Sequence, residues 1–255
     1  MTGQRPLHLL HTRPDARLLA AWVARHHARH EHQALDLGDA LHGLLRAAFG
    51  EAAPQPFRYL DEEQGLLAYT PLNADEVAAQ VALADPLAAQ TLGLGASGHH
   101  EGYRLRVFPT NWTAGQVLGF EVRVRPTIRG AKGEQDAFLQ AVSLADGAPL
   151  QREEIYAQWL RDRLAVREGR PREAWQGAVE LLDVRLEGFR RLPVVRRSQA
   201  SLVEVRRGRV IDGPDALLRG RLRVLEPAAF AHLLARGVGR HRSFGFGMLL
   251  LSRAG

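Results

Sequence analysis

The chain has 255 residues, of which 45% are hydrophobic, and carries a formal net charge of +6 with a pI near 10.5. That is enough apolar material for one large core or two small ones, and the basic balance directs attention to an acidic partner. The sequence contains no cysteine, which excludes a disulfide framework, a thiolate zinc site and a thiol nucleophile. Residues 1–6 are polar and lack the apolar core of a signal peptide, and no apolar run approaches a membrane span; a cytoplasmic protein without a membrane partner is expected.

In chain order, residues 7–11 read as a short apolar strand. A helix over 15–30 follows Pro14-Asp15, with Leu18, Leu19, Trp22 and Val23 at helical spacing, and a second helix covers 37–49. Residues 57–60 and 66–70 are strands separated by Asp61-Glu62-Glu63-Gln64-Gly65, a hairpin loop ending in glycine. An amphipathic helix over 74–84 and a strand over 103–108 complete the order strand, helix, strand, strand, helix, strand of a ferredoxin-like domain. Residues 95–102 and 110–115 read as loops, and the second marks a boundary between domains 1–115 and 116–255.

The second half repeats the pattern more loosely. A strand over 117–127 ends around Pro126, a helix covers 153–166, and strands over 181–192 and 202–206 surround an arginine-rich connection. A strand over 219–224, a helix over 227–235 and a strand over 248–251 follow. The fold class expected is α+β, with two tandem ferredoxin-like domains. From Arg185 to Arg223 eleven arginines stand against Glu187, Glu204, Asp212 and Asp215, a formal +7 for this segment, and Lys132 is the only lysine in the chain. Guanidinium groups fork and stack where ammonium groups only attract.

The C-terminal stretch is the most informative. Gly237, Gly239, Gly245 and Gly247 surround Arg240, His241, Arg242 and Ser243 and run into an apolar strand. Glycine permits positive φ and close backbone approach, successive exposed N–H groups form an anion-binding concavity, and the cations add charge-assisted donors. A turn ending a helix at Gly237 is the plain alternative. A dinucleotide fingerprint is excluded by order, since that motif follows a strand and opens a helix. Phe244 and Phe246 alternate with these glycines, and stacking on a base or burial beneath the loop are both open. Trp159 and Trp175 occupy apolar helical positions and read as core.

Histidine is the available proton carrier near neutral pH. His42 lies at the edge of the stripe formed by Leu41, Leu44 and Leu45, and helical spacing places Arg46 beside it. Pattern alone leaves His42 as an ordinary helix histidine. His26, His27, His30 and His32 form a cluster with Arg29 and Glu31, yet H-E-x-x-H is absent and no thiolate can complete a zinc site. A nucleic-acid-facing or solvated helix end is expected there, and no metal and no cofactor.

The glycine-rich loop between a helix and the last strand resembles that of the repeat-associated RNA-binding superfamily of CRISPR systems. The likeness is greatest to its crRNA-processing endoribonucleases, the CasE-like group of type I-E and its type IV relatives. Leu41-His42-Gly43-Leu44-Leu45-Arg46-Ala47-Ala48-Phe49 resembles the family's catalytic helix. Gly119-Phe120-Glu121-Val122-Arg123-Val124-Arg125-Pro126 resembles its central strand, and Tyr156-Ala157-Gln158-Trp159-Leu160-Arg161-Asp162-Arg163-Leu164 the helix that follows.

The resemblance implies a metal-independent endoribonuclease that cuts CRISPR precursor RNA within its repeats by attack of the 2'-hydroxyl, and retains the mature crRNA for assembly with other subunits of a class 1 effector complex. His42 is expected as general base or acid, with Arg46 and Arg242 as phosphate stabilisers. Several CasE-like enzymes carry a tyrosine three residues before that histidine, where this chain has Asp39. The expected RNA-binding set is Arg25, Arg29, Arg161, Arg163, Arg190, Arg191, Arg196, Arg197, Arg206 and Arg207, together with Gly237, Gly239, Arg240, His241, Ser243, Phe244, Gly245 and Gly247. A non-catalytic crRNA-binding subunit is the alternative.

Overall fold

The computed structural model describes residues 5–28, 37–95, 102–109, 111–130, 133–145, 147–166, 169, 171–196 and 209–254. The first sheet is built from β1 (His8–Thr12), β2 (Phe57–Tyr59), β3 (Leu66–Thr70) and β4 (Arg104–Val107), antiparallel in the order β2-β3-β1-β4. Between these strands run α1 (Ala16–Ala28), α2 (Leu37–Phe49), α3 (Ala74–Leu83) and α4 (Pro86–Leu92).

The second sheet comprises β5 (Val117–Val124), β8 (Val179–Arg196), β9 (Arg209–Val224) and β10 (Leu249–Arg253), in the order β10-β5-β9-β8. A two-stranded hairpin of β6 (Thr127–Gly130) and β7 (Gly133–Asp136) follows β5. The remaining helices are α5 (Ala137–Leu144), α6 (Arg152–Leu164) and α7 (Pro227–Arg236). Each four-stranded sheet reads fourth, first, third, second in its own chain order, the ferredoxin-like arrangement expected from the sequence.

Local chemistry explains the elements. In α2 the buried residues Ala40, Leu41, Leu44, Leu45, Ala48 and Phe49 fall at helical spacing and share a core with Leu10, Phe57, Leu66 and Ala68. Each leucine so buried contributes roughly 2 kcal/mol. Asn73 and Glu76 form a reciprocal capping box at the start of α3. Asp85 caps α4, Pro86 opens it, and Gly93 closes it at φ +67.

Sequence reading did not anticipate α4, β6, β7 or α5. The strand expected over 117–127 stops at Val124, and after Pro126 the chain turns into the hairpin, with Thr127 N bonded to Arg125 O at 2.8 Å. The strand expected over 219–224 is the end of the longer β9, whereas the strand expected over 202–206 lies outside the described residues.

The two halves meet through buried contacts. The Tyr69 hydroxyl donates to Leu249 O at 2.8 Å, and burial pushes its pKa up. An aromatic chain runs from Tyr69 through Phe108 and Trp112 to Phe230, with ring centroids 4.9, 6.2 and 5.0 Å apart. Arg58 of β2 reaches Glu121 of β5 at 3.2 Å.

The open face of the second sheet carries a ladder of cross-strand ion pairs that changes the charge reckoning. Arg223 faces Glu180, Arg221 faces Asp183 and Arg219 faces Glu121, each at 2.6 Å and each in register with its partner. All three acids lie outside the 185–223 segment, so the formal +7 overstates the charge this region presents. Asp215 is 5% exposed and receives Arg123 at 2.7 and 2.8 Å and Arg190 at 2.7 Å. Burial raises its pKa, but the hydrogen bonds and charges of Arg123 and Arg190 outweigh that and hold the carboxyl below its ordinary value.

Asp215→Asn should therefore destabilise the protein by about 3 kcal/mol at pH 7, because two guanidinium groups lose a buried partner. The Asp215 contribution is complete above the unfolded carboxyl pKa of about 4 and disappears as pH falls through the lower folded value. Thermal melts of parent and variant should be well separated at neutral pH and converge in acid.

Candidate functional site

His42 sits on the half-buried edge of α2, where the buried stripe of Leu41, Leu44 and Leu45 turns it to the rim. Its ring centroid lies 5.4 Å from that of Phe244, in a single 3-10 turn at Arg242–Phe244. The glycine loop of the second half thus docks on α2 and β2 of the first half. Ser243 Oγ donates to Gln55 Oε1 at 2.9 Å.

The loop is closed at its base by backbone bonds. Val238 N donates to Gly247 O at 2.8 Å, and Gly247 N donates to Arg123 O at 2.7 Å. Gly237, Gly239, Gly245 and Gly247 have φ of +75, +75, +81 and +79, the left-handed region that glycine enters without penalty.

Their missing side chains leave room for the protein itself rather than for a ligand. A Cβ would lie 2.8 Å from Gly247 O at Gly237, 3.3 Å from Trp159 at Gly239, 3.3 Å from Phe57 at Gly245 and 2.2 Å from Val238 O at Gly247. Of the two reasons the sequence offers for these glycines, close approach of RNA and a positive backbone angle, the second is present at all four. The backbone conformation and close internal contacts account for the glycines.

The polar residues of the loop are also engaged. Glu134 of β7, with a side chain 4% exposed, accepts from Arg240 and lies 3.3 Å from His241 Nε2. His241 is itself left-handed at φ 62. Arg242 Nη1 donates to Arg236 O at 2.7 Å, closing the carboxyl end of α7, and burial lowers its pKa. Arg46 pairs with Glu51 on the surface, so the guanidinium expected beside His42 is turned along the helix.

Phe244 and Phe246 differ in burial. Phe246 is 3% exposed beneath the loop, with the Arg123 guanidinium 4.5 Å from its ring centre, whereas Phe244 remains half-exposed beside His42. Trp159 and Trp175 are core, as expected. Trp159 Nε1 also donates to Thr127 O at 3.1 Å, joining α6 to the β6–β7 hairpin.

The other expected RNA contacts are dispersed. Arg25 is exposed on α1, Arg161 is exposed on α6, and Arg163 lies over the Trp159 ring at 5.2 Å. Arg190, Arg191 and Arg196 belong to β8. Beyond Ala216, β9 leaves β5, and β8 and β9 continue as a two-stranded ribbon to the pair Arg196 and Arg209. Arg29, Arg197, Arg206 and Arg207 lie outside the described residues, as do His30 and His32. Among the described residues no three His, Asp or Glu side chains gather into a metal-binding group, and no helix is long and apolar enough to cross a membrane.

Residues 9–253 match the sequence model of a family described as CRISPR associated protein. The chain belongs to this family. Among curated proteins none matches it. CRISPR endoribonuclease Cse3 bound to a 19-nucleotide RNA superposes with a TM-score of 0.57 at 20% identity, over 97% of this chain and 99% of that one. Thermus thermophilus Cse3, bound to an RNA representing a pre-cleavage complex, gives 0.56 at 19% identity over 97% and 99%. A chain of a CRISPR RNA-guided surveillance complex in a pre-nicking state gives 0.52 at 16% identity over 97% and 100%. At these identities the likeness is one of fold, and it spans both halves.

Sequence reasoning missed Glu134, Gln55 and Phe57 as supports of the loop. They are distant in the chain, and only the fold brings them to it. The loop geometry sets an order of sensitivity. Gly247→Ala should cost about 1–2 kcal/mol for its left-handed backbone alone, and more because the new methyl must displace the Val238 carbonyl. Gly239→Ala carries the backbone cost with a milder contact at Trp159. Urea denaturation should rank Gly247→Ala as the more destabilised of the two.

Proposed function

We propose that this chain is a metal-independent endoribonuclease that cuts CRISPR precursor RNA within its repeats and keeps the mature crRNA for an effector complex in the cytoplasm. The observation that carries this reading is His42, half-exposed beside Phe244 where the catalytic-like helix of one half meets the glycine loop of the other. Family membership and a fold in common with Cse3 support it. Occurrence of the same fold in a surveillance complex supports retention of the product among other subunits.

In this mechanism His42 exchanges protons with the RNA, as base toward the 2'-hydroxyl or acid toward the leaving 5'-oxygen. The 2'-oxygen bonds to phosphorus as the bond to the 5'-oxygen breaks, leaving a 2',3'-cyclic phosphate and a 5'-hydroxyl. Arg46 is available to the phosphate because its pair with Glu51 is exposed, and exposed pairs contribute little. Arg242 spends one donor on Arg236 O and has others for an oxyanion. Phe244 offers a face to a base beside the scissile phosphate.

The β8–β9 ribbon, with Arg190, Arg191 and Arg196, would grip the repeat stem through phosphates and A-form shape. Arg25 of α1 and Arg161 and Arg163 of α6 are further candidates for phosphate contact, as the sequence suggests for Arg29, Arg197, Arg206 and Arg207.

Purified protein should cut its repeat RNA in EDTA and leave uncut a substrate with a 2'-deoxy nucleotide before the scissile phosphate. His42→Ala should slow single-turnover cleavage by about 100- to 10,000-fold with near-parental binding. Replacing Arg190, Arg191, Arg196 and Arg197 together should weaken binding and flatten its salt dependence. Tight, repeat-specific binding with no cleavage would assign the chain instead as a crRNA-holding subunit.

A further inference from the structure

The cleavage reading uses His42 and the glycine loop but leaves one buried acid unexplained. Glu134 projects from the β6–β7 hairpin, outside both four-stranded sheets, and its side chain is 4% exposed. An acid so placed is costly unless it is paired. Two of its partners are consecutive loop residues: Arg240, 43% exposed, and His241, 6% exposed and 3.3 Å away.

His241 is the only non-glycine with positive φ among the described residues, and such a backbone is held against a cost of roughly 1–2 kcal/mol. Its carbonyl accepts from Phe244 N at 2.8 Å, and its ring lies 6.1 Å from the Phe244 ring, centroid to centroid. Phe244 is in turn the ring against His42.

The hairpin itself is anchored from behind. Asp136 caps α5 through Phe138 N at 2.8 Å and receives the Tyr156 hydroxyl at 2.9 Å, and Trp159 holds Thr127. A rigid support therefore ends in a carboxylate that grasps the loop at its one strained non-glycine residue.

We propose that Glu134 is a positioning residue: by holding His241 in the left-handed conformation it seats Phe244 against His42. This rests on the cleavage reading for its consequence but not for its geometry, and the test separates the two. Glu134→Ala should slow single-turnover cleavage of repeat RNA at least about tenfold while changing the Kd less than about threefold. Glu134→Gln, which keeps an acceptor for Arg240 and His241, should restore most of the rate.

In a background of His241→Gly, which adopts positive φ unaided, the further effect of Glu134→Ala should shrink below about threefold. Nuclear Overhauser contacts between the His42 and Phe244 rings should be present in the parent and lost in Glu134→Ala, with melts confirming that the variant is folded. Persistence of those contacts in Glu134→Ala overturns the proposal, as does an undiminished Glu134→Ala defect in the His241→Gly background. A parent that shows the ring contacts and loses them in Glu134→Ala, yet never cuts RNA, sinks the cleavage reading and leaves the positioning role standing.

Discussion

The backbone bond from Val238 N to Gly247 O is the constraint on which the site depends. It draws the end of α7 and the start of β10 together, so everything between them must form a tight loop. Glycine at both sides of the closure is the chemical condition for it, since a methyl at Gly247 would occupy the place of the Val238 carbonyl. Once closed, the loop has one free side, and α2 with β2 lies there. The placement of Phe244 beside His42 follows from this short bridge.

A loop held so tightly has little freedom to adapt to a ligand. Its surroundings hold it at several points: Trp159 under Gly239, Phe57 under Gly245, Glu134 at Arg240 and His241, and Gln55 at Ser243. The strain at His241 is therefore sustained by neighbours on other elements. Preorganisation of this kind lowers the cost of ordering a reacting group when a substrate arrives. It also explains why loop residues with evident RNA-binding chemistry are committed to internal contacts.

Much of this fold was legible in the sequence because its signals are local. Leu41, Leu44 and Leu45 define α2, the five residues from Asp61 to Gly65 define a hairpin, and the segment order gives both sheets. The glycine loop was legible as a loop, but not all that crowds its glycines, since Pro56, Phe57 and Trp159 add to the loop's own Val238 and Gly247 carbonyls. The arginine segment misled for the same reason. Glu121 is distant from it in sequence and Glu180 and Asp183 lie just before it, and only β5, β8 and β9 bring the three opposite Arg219, Arg223 and Arg221. Glu134 left no local signal, because its importance resides in an unusual φ about a hundred residues away.

The β8–β9 ribbon has one further consequence. Past Ala216, among the described residues, neither strand has a third partner, so about 20 Å of paired chain, at 3.3 Å per residue, has two unpaired edges. Such edges invite another chain to add a strand. Here Pro193 and Pro214 each lack an N–H to offer, and the ribbon carries Arg190, Arg191, Arg196 and Arg209 along its length. Prolines and charged residues together blunt an aggregation template. Replacing those arginines by neutral residues would leave two bare strand edges open to pairing with other copies of this chain.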